Sequence, residues 1–256
     1  MRFASLGSGS RGNALLIEAG RTRILLDCGF GLEEITARLH RIGADPGGLD
    51  AVIVTHEHGD HGAGVAKLSA RHDIPVYLTR GTYSGLGAGA RAIRSRTFID
   101  GCTAFAVGDA EVRPYTVPHD AREPVQFVVS DGAARLGVLT DAGCPTPHIT
   151  QMLSGVHALV IECNHDPDML RNGPYTAQLK RRIAGRLGHL SNEASAGIVR
   201  AMDRRRLQHV IAAHLSEKNN TPELARAALA RALDCAPDWI GVATQEKGFG
   251  WRRIAA

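Results

Sequence analysis

Four side chains able to bind a metal ion are packed into six residues, His56-Glu57-His58-Gly59-Asp60-His61, directly after the apolar run Ala51-Val52-Ile53-Val54-Thr55. The run reads as a buried strand, so the cluster occupies the loop leaving a strand end. Neutral imidazole and carboxylate suit zinc, manganese or iron, and carboxylate favours the harder ions. Alternate residues in such a loop turn towards different points. His56 and His58 can hold one ion while Asp60 and His61 hold a second. Solvent-exposed loops rarely crowd histidines and acids in this way, and the chain is read as a metallohydrolase.

The remaining composition narrows the class. A chain of 256 residues, 44% hydrophobic and 22% charged, is ordinary for a globular protein. No apolar run approaches the roughly 20 residues that span a bilayer. The amino-terminal segment turns glycine-rich before a signal-peptide core could develop, so a cytoplasmic protein without a membrane partner is expected. Five scattered cysteines, none in CxxC spacing, argue against a disulfide framework or a cysteine-rich zinc site. The net charge of +4 is concentrated in clusters such as Arg91/Arg94/Arg96, Lys180-Arg181-Arg182 with Arg186, and Arg204-Arg205-Arg206. These clusters suit phosphate contacts or solvated helix faces, and they permit a nucleic-acid partner without requiring one. A homodimer is left open.

Hydrophobic periodicity predicts strands over 1–6, 13–19, 22–27, 51–55 and 75–79, with helices over 31–42 and 62–72. Residues 81–97 are weakly patterned and glycine-rich, as a loop or frayed helix over the site would be. Strands are predicted over 98–107, 111–118, 125–130, 135–140, 157–162, 207–213, 238–243 and 249–254. Helices are expected over 166–171, 175–187, 192–203 and after Thr221-Pro222-Glu223, an N-cap followed by proline. No linker or repeat interrupts the pattern. It points to one layered domain, residues 1–256, of sheets packed face to face with helices outside.

The cluster, following its buried strand, resembles the HxHxDH motif of the metallo-β-lactamase superfamily, and the resemblance runs over roughly residues 1–245. It implies an α/β fold, a four-layer αβ/βα sandwich. It also implies further metal ligands at later strand ends: His119 after Thr116-Val117-Pro118, Asp141 after Val138-Leu139-Thr140, and His214 after Ile211-Ala212-Ala213. Asp141 would bridge two divalent ions, one on His56, His58 and His119, the other on Asp60, His61 and His214. Asp27, closing Ile24-Leu25-Leu26, matches an aspartate that braces the ligand loop.

Gly188-His189-Leu190-Ser191, echoed by Ala213-His214-Leu215-Ser216, is similar to paired motifs in the superfamily's tRNA-processing nucleases, where the earlier histidine assists proton transfer. His189 precedes Ser191, a helix N-cap, and a helix amino terminus lowers a histidine's pKa. A carboxylate such as Glu162 would restore it. Ser5-Leu6-Gly7-Ser8-Gly9-Ser10, Glu162-Cys163-Asn164-His165-Asp166, Leu170-Arg171-Asn172-Gly173-Pro174-Tyr175 and the two HLS segments resemble the YycJ/WalJ branch, associated with DNA exonuclease activity. In that reading Ser8, Ser10 and Asn13 cradle an anion, and Asn164, His165 and Arg171 contact phosphate; loop bracing is the competing role for each.

The expected activity is metal-dependent phosphodiester hydrolysis of nucleic acid, DNA above RNA. Two cations sharing a water would supply hydroxide near neutral pH. Asp60 would orient the nucleophile, and His189 with Glu162 would protonate the leaving group. The rivals are a small-molecule hydrolase of thioester, lactone or β-lactam, and a non-catalytic metal-dependent nucleic-acid-binding module.

Overall fold

The computed structural model describes residues 1–255. Strands β1 (Arg2–Gly7), β2 (Ala14–Ala19) and β3 (Thr22–Leu26) form an antiparallel meander. Helix α1 (Leu32–Arg41) carries the chain to β4 (Ala51–Ile53), parallel to β3. Helices α2 (Gly59–Gly62) and α3 (Val65–His72) lead to β5 (Val76–Leu78). Helix α4 (Arg80–Gly85) and a 3-10 segment over Gly87–Ala92 lead to β6 (Arg96–Phe98).

A second sheet opens with β7 (Phe105–Val107), β8 (Ala110–Thr116), β9 (Val125–Ser130) and β10 (Arg135–Leu139), each antiparallel to the one before. Helix α5 (Pro147–Leu153) crosses to β11 (Ala158–Glu162), parallel to β10. Helices α6 (Pro167–Asn172), α7 (Ala177–Ile183) and α8 (Asn192–Ala201) precede β12 (His209–Ala213), parallel to β11. Helix α9 (Pro222–Leu233) and the short β13 (Gly241–Val242) follow, and β14 (Phe249–Arg253) returns to pair with β1. The sheets run β14-β1-β2-β3-β4-β5-β6 and β13-β12-β11-β10-β9-β8-β7.

Most central strands are apolar on both faces, as sheets covered on both sides require. Phe3, Ile17, Ile24 and Ile53 of the first sheet share one buried cluster with Phe127, Val138, Val160 and Ile211 of the second. Alternate residues point the other way. Leu25 and Val52 pack with Ile35, Leu39 and Leu68 of α1 and α3, while Leu159 and Ile161 pack with Ile149, Ile198 and Leu229 of α5, α8 and α9. Each such side chain contributes roughly 1.5–3 kcal/mol on burial. The layers therefore run helix, sheet, sheet, helix, the expected four-layer αβ/βα sandwich.

Some local expectations are corrected. The single strand predicted over 98–107 is two, β6 and β7, in different sheets. Asp100 turns the chain between them, accepting hydrogen bonds from the Cys102 and Thr103 backbone N–H groups at 2.9 and 2.6 Å. The helix expected over 175–187 ends at Ile183, before a glycine-bearing return. The segment 81–97 is largely ordered into α4, the 3-10 segment and β6. It packs beside the histidine loop, with Leu86 against Gly62 and Gly85 against Glu57. Helix α5 escaped the periodicity reading, although Thr146-Pro147 opens it with the N-cap and proline signal read correctly at Thr221-Pro222.

Candidate metal centre and cleft

Strands β3 and β4 run parallel, and β8, β10, β11 and β12 share one direction because β9 opposes both β8 and β10. Their carboxyl ends are where open α/β sheets place ligands. Asp27 follows β3, His56 follows β4, His119 follows β8, Asp141 follows β10, Glu162 ends β11 and His214 follows β12. Asp27, Asp141 and His214 hold left-handed φ angles of 61°, 52° and 52°, unusual outside glycine. Each marks the point where a strand stops and its side chain turns inward.

Asp27 accepts from Thr55 N–H at 2.8 Å and from the Thr55 hydroxyl at 2.9 Å. It also lies 2.7 Å from His61 Nδ1, which donates to it. The remaining His61 nitrogen, Nε2, faces Asp141 Oδ2 at 2.7 Å. Two lone pairs at that distance repel unless a proton or a cation lies between them. The same pattern recurs at His119. Its Nδ1 donates to Gly188 O at 3.0 Å, which turns the Nε2 lone pair to His58 Nδ1 at 3.2 Å. His56 Nδ1 engages Thr55 Oγ1 at 2.9 Å, leaving Nε2 buried and without a partner among the described residues. These inward lone pairs fit a cation.

The donor atoms fall into overlapping groups whose members lie within 4.8 Å of one another: His56/His58/His119, His56/His61/Asp141, Asp60/His61/His214 and Asp141/Glu162/His189/His214. All seven ligands expected from the sequence are thus brought together, with Asp141 between the other six. Burial drives the His56 pKa well below its ordinary value, with His61 adding to the effect, and burial likewise lowers His119. Both are neutral imidazoles, the form that binds metal. For His61 and His214 burial also opposes the charge, but the surrounding carboxylates, Asp141 foremost, outweigh it and raise both. Asp141 itself is held well below the usual carboxylate range, its burial outweighed by His214 and His61.

Glu162 is fully buried and fixed by the Ala142 and Leu190 N–H groups at 3.0 and 3.1 Å. His189 Nδ1 lies 2.7 Å from Glu162 Oε1 and 3.1 Å from Asp141 Oδ1. Burial disfavours the imidazolium, yet Glu162 and Asp141 push the His189 pKa up to about 9. The carboxylate invoked from sequence to offset the helix terminus is therefore in contact.

A cleft of about 390 Å³ opens onto the site, lined by His58, Asp60, Asp141, His189 and His214, and by Ser10 of the first loop. Other expected substrate residues lie elsewhere. Ser8 is buried, donating to Asn13 Oδ1 at 3.0 Å and accepting from the His214 N–H at 2.9 Å. Asn13 donates to Gly9 O and lies 3.1 Å from His61 Nε2. Asn164 donates to His214 O, and His165 is buried beside Ser191. These four brace the loops from behind rather than face the cleft. Arg171 is exposed and paired with Asp168 at 2.6 Å, outside the cleft lining. The arginine at the cleft is Arg182, with Tyr175 and Asp120 beside it. The sequence marked Arg182 only as one member of a basic run.

A family model described as the beta-lactamase superfamily domain matches residues 22–214. The exodeoxyribonuclease YycJ of Bacillus anthracis is 32% identical over 98% of this chain and 91% of its own length. The exodeoxyribonuclease WalJ of Streptococcus pneumoniae is 32% identical over 94% of this chain and 91% of its own. Among solved structures, the metallo-beta-lactamase fold protein YhfI of Bacillus subtilis superposes with a TM-score of 0.74 at 15% identity, covering 98% of this chain and 99% of that one.

Proposed function

This chain is a metal-dependent hydrolase of the β-lactamase superfamily, in the family of the YycJ and WalJ proteins, and from that premise we propose that it cleaves DNA phosphodiester bonds from a strand end using two divalent cations. The observation that carries the two-cation reading is Asp141, whose carboxylate lies within ligand distance of donors from both histidine sets. His56, His58 and His119 would hold one cation, Asp60, His61 and His214 the other, and Asp141 both. The nitrogen and oxygen donors suit zinc or manganese. Bound there, the cations supply Lewis acidity that activates water and offsets charge on the phosphate.

The chain's own groups do the rest. Asp60 lines the cleft and orients the attacking water. Asp27, through His61, and Ser8, through the His214 backbone, keep ligands on their axes. His189 is held at Nδ1 by Glu162 and Asp141, which leaves Nε2 as the nitrogen that donates a proton to the departing alkoxide. The relatives' names support DNA as the polymer.

End-labelled DNA and RNA, supplied with Zn²⁺ or Mn²⁺, distinguish the outcomes. Wild type is expected to shorten DNA from an end, and His119→Ala to lose about 100-fold or more, since even partners outside the ligand set cost 10–100-fold. Equal cleavage by His119→Ala would place the activity outside this site. Hydrolysis of a thioester or lactone without any DNA cleavage would replace the nuclease reading.

A further inference from the structure

Helix α7 buries none of its residues, yet its carboxyl end is fastened to the metal-site loops. The His189 N–H donates to Ile183 O at 2.8 Å, and the Asp120 N–H donates to Leu187 O at 3.0 Å. A methyl group on Gly143 would stand 2.3 Å from Arg186 O, and one on Gly188 would stand 2.2 Å from Ile183 O. The return after α7 therefore packs backbone to backbone against the loop that follows Asp141. A helix anchored in this way is a fixed wall of the cleft, with side chains free to meet a ligand.

Those side chains have a particular chemistry. Tyr175, just before the helix, and Leu179 and Ile183, one helical turn apart, line the cleft together with Arg182. Arg182 Nε donates to Asp120 Oδ2 at 2.7 Å. Among the described residues its hydrogen bonds pass through Nε alone, so both terminal nitrogens of the fork remain for another acceptor. The other oxygen of Asp120 lies 3.6 Å from His119 Nε2 and 3.8 Å from His58 Nε2. One carboxylate thus ties the guanidinium to the rim of the metal centre. Arg181 and Arg186, both exposed, add positive charge to the same segment.

An aromatic ring, an apolar flank and a pinned guanidinium fork match an unpaired nucleic-acid strand, whose base faces are open to stacking. A duplex keeps those faces stacked on each other. The cleft is also of small-ligand size, which admits one strand and not two. We propose that the α7 wall receives an unpaired strand end, with Tyr175 stacking on a base and Arg182 forking to a phosphate, so that single-stranded ends are preferred to paired ones. This rests on the nuclease reading above.

The test uses metal-loaded enzyme and a fluorescent phosphorothioate oligothymidylate, with affinity measured over a salt series and cleavage of ordinary single-stranded and blunt duplex DNA measured in parallel. Tyr175→Ala is expected to weaken binding at least about fivefold and to raise KM more than it lowers kcat, with Tyr175→Phe near wild type. Arg182→Ala is expected to flatten the slope of log affinity against log salt by about 0.7, the share of one phosphate on a single strand, and Arg182→Lys to restore it. Wild-type slope and affinity in both alanine variants, or equal cleavage of blunt and single-stranded ends, would overturn the inference while leaving the nuclease reading intact. A wild type that neither binds nor cuts DNA would overturn both.

Discussion

Holding a non-glycine residue in the left-handed region costs on the order of 1–3 kcal/mol, and Asp27, Asp141 and His214 all carry that cost. Asp27 shows what it achieves. Its carboxylate accepts from two Thr55 groups and from His61, so one side chain fixes the tautomer of a ligand and the path of the loop bearing it. Asp27→Asn preserves the backbone conformation, which asparagine tolerates, but removes the charge and one acceptor. Retained metal after dialysis, measured by atomic emission, should fall to a level reflecting a 10–100-fold loss of affinity. Undiminished metal would mean that Asp27 shapes the strand end and not the ligand. The ligand identities were legible in the sequence because His56–His61 announces itself and the strand-end residues match a family order. The left-handed backbone was not, since neither aspartate nor histidine declares its φ. The buried placement of Ser8 and Asn13 was equally invisible, because a Gly/Ser loop reads the same whether it cradles an anion or braces a neighbour.

At the scale of elements, the histidine loop is stitched to two others. The Asn13 N–H donates to Asp60 O at 2.7 Å, the Cys28 N–H to His61 O at 2.8 Å, the Gly29 N–H to Asn13 O at 3.0 Å and the Gly64 N–H to Cys28 O at 2.8 Å. Such proximity leaves no room for side chains. A methyl group on Gly29 would stand 1.9 Å from Asp60 O, and no rotamer relieves a collision with backbone. Gly29→Ala should lower Tm by about 3–10 °C in scanning calorimetry and reduce bound metal, the range following from an overpacking cost of roughly 1–3 kcal/mol. Gly31→Ala, where an added methyl group meets nothing within 4 Å, serves as control. Equal behaviour of the two variants would show that the stitching is dispensable. Periodicity found most strands and helices because their apolar faces repeat at 2 or about 3.6 residues. It missed the division between β6 and β7, where turn chemistry at Asp100 outweighs a continuous strand-like pattern. It overran α7, whose helical spacing continues past Ile183 although the backbone turns back.

Across the whole molecule, the candidate ligands come from both sheets: His56, His58, Asp60 and His61 from the first, His119, Asp141 and His214 from the second. The apolar cluster between the sheets is shared in the same way. A cation held there joins two surfaces that otherwise meet only through apolar contact. Stripping metal with a chelator should lower Tm by about 5–10 °C within a single cooperative transition, since a ligand at 100 times its Kd adds about 2.7 kcal/mol. An unchanged Tm would argue against a resident ion, and two separated transitions would argue against one domain. The fastening of α7 has a further consequence. The strand ends that carry metal chemistry and the wall that meets the polymer occupy separate stretches of chain, joined through the backbone of the return at 184–189. Substitutions along the wall can accumulate without disturbing the ions. Among relatives that share the ligand set, divergence in the preferred substrate should therefore be written mainly between residues 171 and 187, where the chemistry of bond cleavage has no stake.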